Sequence, residues 1–104
     1  MRIAALVPEL MFASRVKGLL EQAGHDVTLV SDPAAGAWAD VIVADLMEAD
    51  AGALVAAGPP VLGIFNHTSP EVRDRALAAG VALAVPRSRF VREAAALVVR
   101  VAPT

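Results

Sequence analysis

A short apolar run between two acids sets the fold class of this chain. Residues 41–44 are Val, Ile, Val and Ala, and Asp40 and Asp45 stand on either side of them. Three of the four are β-branched, and no polar residue alternates with them, which is typical of a strand buried on both faces. Strands of this kind occur in parallel sheets that helices cover on both sides. The run therefore predicts an α/β fold with this strand at its centre.

The same reasoning predicts five strands in all. The other four are short apolar runs at residues 3–7, 27–30, 61–65 and 81–85. Between them, apolar residues recur every three or four positions and predict helices over 10–23, 51–57, 70–79 and 88–100. Only residues 34–39 separate the second strand from the central one, which is enough for a single turn. The chain is thus predicted to form a doubly wound parallel sheet with helices on both faces and a shortened second crossover.

Several residues predict where helices begin and what covers the edge of the sheet. Pro70 suits a first helical position, and Thr68 and Glu71 have the spacing of a capping box. Ser88 is expected to cap the last helix. Trp38 is expected to lie against the sheet edge.

Length and composition exclude several classes of protein. The 104 residues suit a single domain spanning 1–104, and a net charge of −2 gives no general attraction to nucleic acid or to anionic membranes. The chain has no cysteine, and none of its apolar runs approaches the length of a signal-peptide core or a membrane span. We expect a cytoplasmic protein. Arginine is concentrated in residues 70–104, which hold six bases against three acids.

Three segments resemble the receiver domains of bacterial two-component response regulators, of which the chemotaxis receiver is a familiar example. Residues 40–45 have the family's spacing from the acid that opens the third strand to the phosphoacceptor aspartate. Residues 60–71 match the fourth strand and the helix after it, and residues 78–87 match the approach to the family's lysine. The resemblance implies a flavodoxin-like sheet of order 2-1-3-4-5. It also makes Asp45 the phosphoacceptor-like residue.

The remaining receiver positions depart from the family pattern. The acidic pair that would hold magnesium falls on Pro8 and Glu9, or one residue earlier, so at most one acid remains. Phe65 occupies the hydroxyl position, with Asn66 as the nearest polar substitute, and Arg87 replaces the lysine. Arg87 is expected either to pair with Asp45 through both nitrogens or to remain solvated. This pattern resembles a degenerate receiver, or pseudo-receiver, with at most a weak magnesium site.

Three functions remain open from the sequence. The first is a non-catalytic pseudo-receiver that acts through contacts with a protein partner, such as a histidine kinase or an output protein. The second is a working receiver phosphorylated on Asp45, and the third is a small-molecule or nucleotide-binding domain. No glycine-rich phosphate loop is present, and no nucleophile and base can be paired at the predicted site, so an enzyme is not expected.

Two other groups of residues have a predicted place but no predicted chemistry. His67 is expected in a loop and His25 at the opposite end of the sheet, so the two histidines should not share a metal. Ala95 and Val99 widen the apolar stripe of the last helix beyond what one face of the sheet requires. Receivers often dimerise through their fourth helix, fifth strand and fifth helix, and a homodimer through these segments is a further expectation.

Overall fold

Five parallel strands form one sheet in the computed structural model, which describes residues 1–103. The order is β2-β1-β3-β4-β5, as the sequence predicted. Each strand is short, and the central β3 pairs with β1 on one side and β4 on the other. The strands are β1 (Arg2–Leu6), β2 (Asp26–Leu29), β3 (Val41–Asp45), β4 (Val61–Phe65) and β5 (Leu83–Pro86).

Within the described residues, three α-helices and one 3-10 turn connect the strands, and a fourth α-helix follows the last strand. The turn lies in the second crossover and replaces a full helix, which confirms the predicted shortening of this connection. Asp32 caps the turn by accepting a hydrogen bond from the Ala35 amide, 3.1 Å away. Among the described residues, no helix is both long enough and apolar enough to cross a membrane. The helices are α1 (Leu10–Gln22), α2 (Ala51–Ala56), α3 (Pro70–Ala79) and α4 (Arg87–Val101), and the 3-10 turn is Pro33–Gly36.

The core is divided by the sheet into two layers. Successive side chains of a strand point to opposite faces, so Val41 and Val43 pack under α1 and α4, while Ile42 and Ala44 pack toward α2 and α3. All five residues of β3 are buried, including Asp45. The central apolar run is therefore covered on both faces. Asp45, the acid that ends it, is the only polar or charged residue that is buried among residues 1–103.

Close packing on the second layer depends on one glycine. Gly63 of β4 lies beneath Leu46, and a Cβ atom placed at position 63 would be 2.7 Å from the Leu46 Cγ. Leu46 is itself buried, with 7% of its surface exposed. The absence of a side chain at position 63 lets the residue after Asp45 fold back over the sheet.

The bounds of α3 agree with the prediction, but its capping does not. Pro70 does begin α3, but the predicted capping box is absent: Thr68 donates both its amide and its hydroxyl to Asn66 Oδ1 instead. The cap residue Ser69 makes no side-chain hydrogen bond to the helix. The side chain of Asn66 accepts the hydrogen bonds of the loop before the helix, so Thr68 does not take part in a capping box. Local side-chain hydrogen bonds of this kind often compete with helix caps. Leu77, one of the apolar residues within the predicted helix 70–79, does not pack against the sheet and is 45% exposed.

The last strand and helix also begin elsewhere than predicted. Val81 is buried, but it belongs to the turn that ends α3, where its amide donates to the Ala76 carbonyl. The strand starts two residues later. The last helix begins at Arg87, with Pro86 at the cap position, so Ser88 lies within the helix and does not cap it. Helix α4 therefore follows β5 without a loop.

Candidate functional site

The carboxyl ends of three neighbouring strands bring the predicted site residues together. Asp45 ends β3, Phe65 ends β4, and Pro86 ends β5 directly before Arg87. Because β3, β4 and β5 are adjacent and parallel, these ends meet at one edge of the sheet. Ligands of open α/β sheets bind at this edge. The fold thus assembles Asp45, the residues after Phe65 and Arg87 around one cleft.

Asp45 is buried at the bottom of this cleft, with 4% of its surface exposed. Its Oδ1 accepts a hydrogen bond from the Met47 amide at 2.9 Å. Its Oδ2 lies 3.7 Å from a terminal nitrogen of Arg87. The carboxylate therefore has one backbone donor and one cation as neighbours, which together offset part of the cost of burying its charge.

Arg87 reaches Asp45 from the first residue of α4. The contact is a single ion pair at 3.7 Å, so the bidentate arrangement considered from the sequence is not formed. The side chain stays half exposed, at 53%, while that of Asp45 is 5% exposed. The guanidinium carbon also lies 4.1 Å from the centre of the Phe12 ring in α1. Arg87 is therefore held by an aromatic face on one side and faces a carboxylate on the other.

The cleft around Asp45 has a volume of about 570 Å³. This volume is within the range of small-molecule sites, although the cleft is open to solvent. Two carboxylates, one arginine, one histidine, one amide and one hydroxyl supply its polar side-chain groups. The residues that line it are Asp45, Met47, Glu48, Ile64, Phe65, Asn66, His67, Arg87 and Ser88.

Glu9 was predicted to line the site, but it is not among the cleft residues. Its carboxylate caps α1 by accepting hydrogen bonds from the amides of Met11 and Phe12. A helix N-terminus carries unpaired amides and a partial positive charge, so an acid at this position stabilises the helix. The Glu9 carboxylate thus serves as the N-terminal cap of α1 and does not point into the cleft.

Phe65 and Asn66 both line the cleft, but they do so differently. Phe65 is 5% exposed and packs in the layer beneath α2 and α3, with the Arg73 guanidinium 5.9 Å from its ring centre. Asn66 is exposed, and its Oδ1 accepts two hydrogen bonds from Thr68. Phe65 therefore presents an apolar ring to the cleft, and the neighbouring amide oxygen of Asn66 is occupied within its own loop.

Sequence reasoning missed or set aside three residues that line the cleft. Glu48 follows the end of β3, and His67 follows the end of β4, so the rule that loops after parallel strands form the site would have identified both. Ser88 was interpreted only as a helix cap. His25 lies near the start of the chain, where its Nδ1 is 3.0 Å from the Met1 amino group. The two histidines therefore do not form a pair.

Two carboxylates that could contribute to a magnesium site already have other partners. Within residues 1–103, no group of three or more acidic or histidine side chains is arranged to hold a metal. Asp45, one of the two carboxylates in the cleft, already faces Arg87, and the carboxylate of Glu9, which lies outside the cleft, caps α1. A divalent cation at Asp45 would lie close to the Arg87 guanidinium and be repelled by it.

Comparisons with known proteins give a fold but no close relative. No protein-family model matches the chain, and no curated protein matches it either. Among solved structures, it is similar to a response regulator receiver domain protein from Clostridium thermocellum, with a TM-score of 0.80 and 15% identity over 96% of this chain and 92% of that one.

Two further receiver domains show the same similarity. The non-phosphorylated HemR receiver domain from Leptospira biflexa has a TM-score of 0.75 and 21% identity over 96% of this chain and 92% of that one. The receiver domain of the Francisella response regulator 1452 has a TM-score of 0.70 and 20% identity over 95% and 97% of the two chains. At such low identities the likeness concerns the fold. The chain therefore has the fold of a response regulator receiver domain.

Proposed function

We propose that this chain is a non-catalytic cytoplasmic signalling module of the two-component type, a pseudo-receiver that acts through protein contacts without phosphorylation of Asp45. The receiver fold supports the signalling assignment in general terms. The observation that carries the more specific proposal is the contact between Asp45 and Arg87. It pairs the carboxylate that would otherwise accept a phosphoryl group with a cation that is also held against the Phe12 ring.

The Asp45–Arg87 contact opposes phosphorylation in two ways. A carboxylate paired with a cation is a weaker nucleophile, because the cation stabilises its negative charge in the ground state. Arg87 is also stacked on Phe12, so it is held in place on the helix rather than free to follow an incoming group. In this arrangement the negative charge of Asp45 is already partly offset before a phosphoryl group arrives.

The two groups that would otherwise assist phosphoryl transfer are missing from the cleft. Phosphoryl transfer relies on electrostatic stabilisation of the charge on the transferred group's oxygens. Phe65 presents an apolar ring where a hydroxyl donor would be needed, and it is buried in the core. Glu9 is engaged by the amides of α1 and is not available to a metal in the cleft.

A module of this kind would act through its surface. We propose a protein partner, such as a histidine kinase or an output protein, and self-association through α3, β5 and α4 as one form of contact. Two side chains on these helices support an interface: Leu77 of α3 is 45% exposed, and Val99 of α4 is 65% exposed. Burying exposed apolar side chains of this size under a partner makes the free energy of association more favourable.

Intact-protein mass spectrometry tests the central part of this proposal. The purified chain is incubated with acetyl phosphate and magnesium, and its mass is compared with that of the Asp45→Asn variant and of a phosphorylatable receiver treated in parallel. We expect no added phosphoryl group on the chain while the parallel receiver is modified. A phosphoryl adduct that forms on the wild type and not on Asp45→Asn would overturn the proposal and favour a working receiver.

A further inference from the structure

A second groove lies beside the Asp45 cleft, between the first turns of α1 and α4. Its volume is about 550 Å³. Its apolar surface comes from Phe12, which is buried in the core, and Val91, which is partly buried. Arginines from both helices surround this surface. The groove is lined by Phe12, Arg15, Arg87, Ser88, Val91 and Arg92.

The charge on this groove has one sign. Three of its six lining residues are arginines and none is acidic. In a chain whose formal net charge is −2, this is a local reversal of the overall balance. A concave surface lined by one sign of charge attracts ligands of the other sign.

The arginines of the groove are only partly neutralised by neighbouring acids. No carboxylate within the described part of the chain forms an ion pair with Arg15. Arg92 lies 3.4 Å from Glu93, but Glu93 is also 3.4 Å from Arg89 and so serves two cations. The positive charge at the rim is therefore available to an anion.

We propose that this groove binds an amphipathic organic anion. The apolar or aromatic body of the ligand packs against Phe12 and Val91, and its carboxylate, sulfonate or phosphate group pairs with Arg15 and Arg92. An apolar floor with a few charged groups at its rim is the usual composition of a small-molecule site. Arginine is suited to both parts, since its planar group binds oxyanions and also stacks on aromatic rings.

The groove and the Asp45 cleft share Arg87 and Ser88 but are otherwise separate. Ligand binding in the groove uses Arg15 and Arg92, neither of which lines the cleft. The inference therefore holds whether or not Asp45 accepts a phosphoryl group, and the Asp45→Asn variant should bind the ligand as the wild type does.

Fluorescence titration with 8-anilinonaphthalene-1-sulfonate tests the proposal, because this dye combines an aromatic body with one anionic group. N-phenyl-1-naphthylamine, which has the same aromatic body without the sulfonate, is the matched probe. We expect saturable binding of the sulfonate and weaker binding of the amine. Loss of one rim arginine should weaken sulfonate binding by about threefold to tenfold, as expected for a partly exposed charge-assisted contact.

Arg15→Ala and Arg92→Ala are the test variants, and Arg100→Ala is the control because it removes an exposed arginine of α4 outside the groove. Amide NMR shifts locate the dye directly and should move at Phe12, Arg15 and Val91. The proposal is overturned if the sulfonate does not bind saturably up to about 1 mM. It is also overturned if the amine binds as tightly, if Arg100→Ala weakens binding as much as the test variants do, or if the shifted amides lie elsewhere.

Discussion

The Arg87 guanidinium carbon lies 4.1 Å from the centre of the Phe12 ring, which joins the first residue of α4 to the first turn of α1. The same guanidinium is 3.7 Å from Oδ2 of Asp45. A planar guanidinium stacks on an aromatic face and pairs with a carboxylate, whereas an ammonium group is a compact, strongly hydrated point charge. Arg87 therefore connects the packing between α1 and α4 with the electrostatics of the Asp45 cleft.

The contact between Arg87 and Phe12 should be measurable as a coupling energy. We expect the substitutions Arg87→Met and Phe12→Leu to be non-additive by about 0.5–1 kcal/mol in the free energy of unfolding, as for other exposed cation–π pairs. Urea unfolding of the two single variants, the double variant and the wild type gives the value. The same cycle with Arg100→Met in place of Arg87→Met should be additive. Additivity in both cycles would show that the stacking contributes nothing.

Replacing Asp45 by Asn should stabilise the fold by about 1 kcal/mol, because a neutral amide removes the cost of burying a carboxylate whose one ion-pair partner, Arg87, is 3.7 Å away and half exposed. The Asn oxygen can still accept the hydrogen bond that the Met47 amide donates to Asp45. Chemical unfolding measures the change, with Asp74→Asn as an exposed control expected to shift stability by less than about 0.5 kcal/mol. A marked loss of stability in Asp45→Asn would mean that the ion pair outweighs the burial cost.

Adding a methyl group at Gly63 should destabilise the protein by about 1–3 kcal/mol, because the new Cβ would overlap Leu46 in a packed layer. Gly18 offers a matched control, since a Cβ there meets nothing within 4 Å and the residue lies in the middle of α1. Gly18→Ala should therefore stabilise the helix by about 0.5–1 kcal/mol. Thermal unfolding of the two variants should move in opposite directions, and equal effects would contradict the packing described for Leu46.

Glu9→Ala should lower the free energy of unfolding by about 1 kcal/mol, since it removes the side-chain cap of α1. It should leave the response of the chain to magnesium unchanged. Glu21→Ala is the control, because this exposed acid lies at the other end of the same helix and caps nothing. Unfolding curves recorded with and without magnesium separate the two roles. A magnesium-dependent stabilisation that Glu9→Ala abolishes would assign Glu9 to a metal site instead.

The sheet could be predicted from the sequence because its strands are buried. Runs such as residues 41–44 and 61–65 contain no alternating polar residues, so they had to be covered on both faces, and the order of the five strands followed from the receiver resemblance. Gly80 was a reliable helix end, since its φ of 111° favours glycine. Local sequence therefore predicts two kinds of feature well: strands that are buried on both faces, and chain positions that require one particular backbone conformation.

Boundaries that depend on tertiary contacts could not be predicted in the same way. Serine is a common cap residue, so Ser88 was a reasonable helix start. In the structure, however, Pro86 still pairs with Phe65 in the sheet, and the helix begins at the next residue, Arg87. Thr68 has the spacing of a capping box, but the nearer Asn66 competes successfully for its donors. In both places the sequence is compatible with two positions or modes of capping, and a contact with a neighbouring residue determines which one forms.

The candidate site shows the same division. That Asp45 and Arg87 would lie at one edge of the sheet followed from their positions at the ends of β3 and β5. The stacking of Arg87 on Phe12 did not, because it depends on how closely α1 and α4 approach each other. Glu9 follows the first strand as a metal ligand would, yet an acid before a helix is equally a cap, and the sequence does not distinguish these roles.

Beryllofluoride titration in the presence of magnesium, followed by amide NMR shifts, tests most directly whether the Asp45 cleft still performs receiver chemistry. Beryllofluoride imitates a phosphoryl group on a carboxylate, and Asp45→Asn is the control. If the chain is a pseudo-receiver, as we propose, no saturable shift should occur at the amides of Asp45, Asn66 and Arg87 up to millimolar additions. Saturable shifts at these amides in the wild type that are absent from Asp45→Asn would contradict it and identify a working receiver.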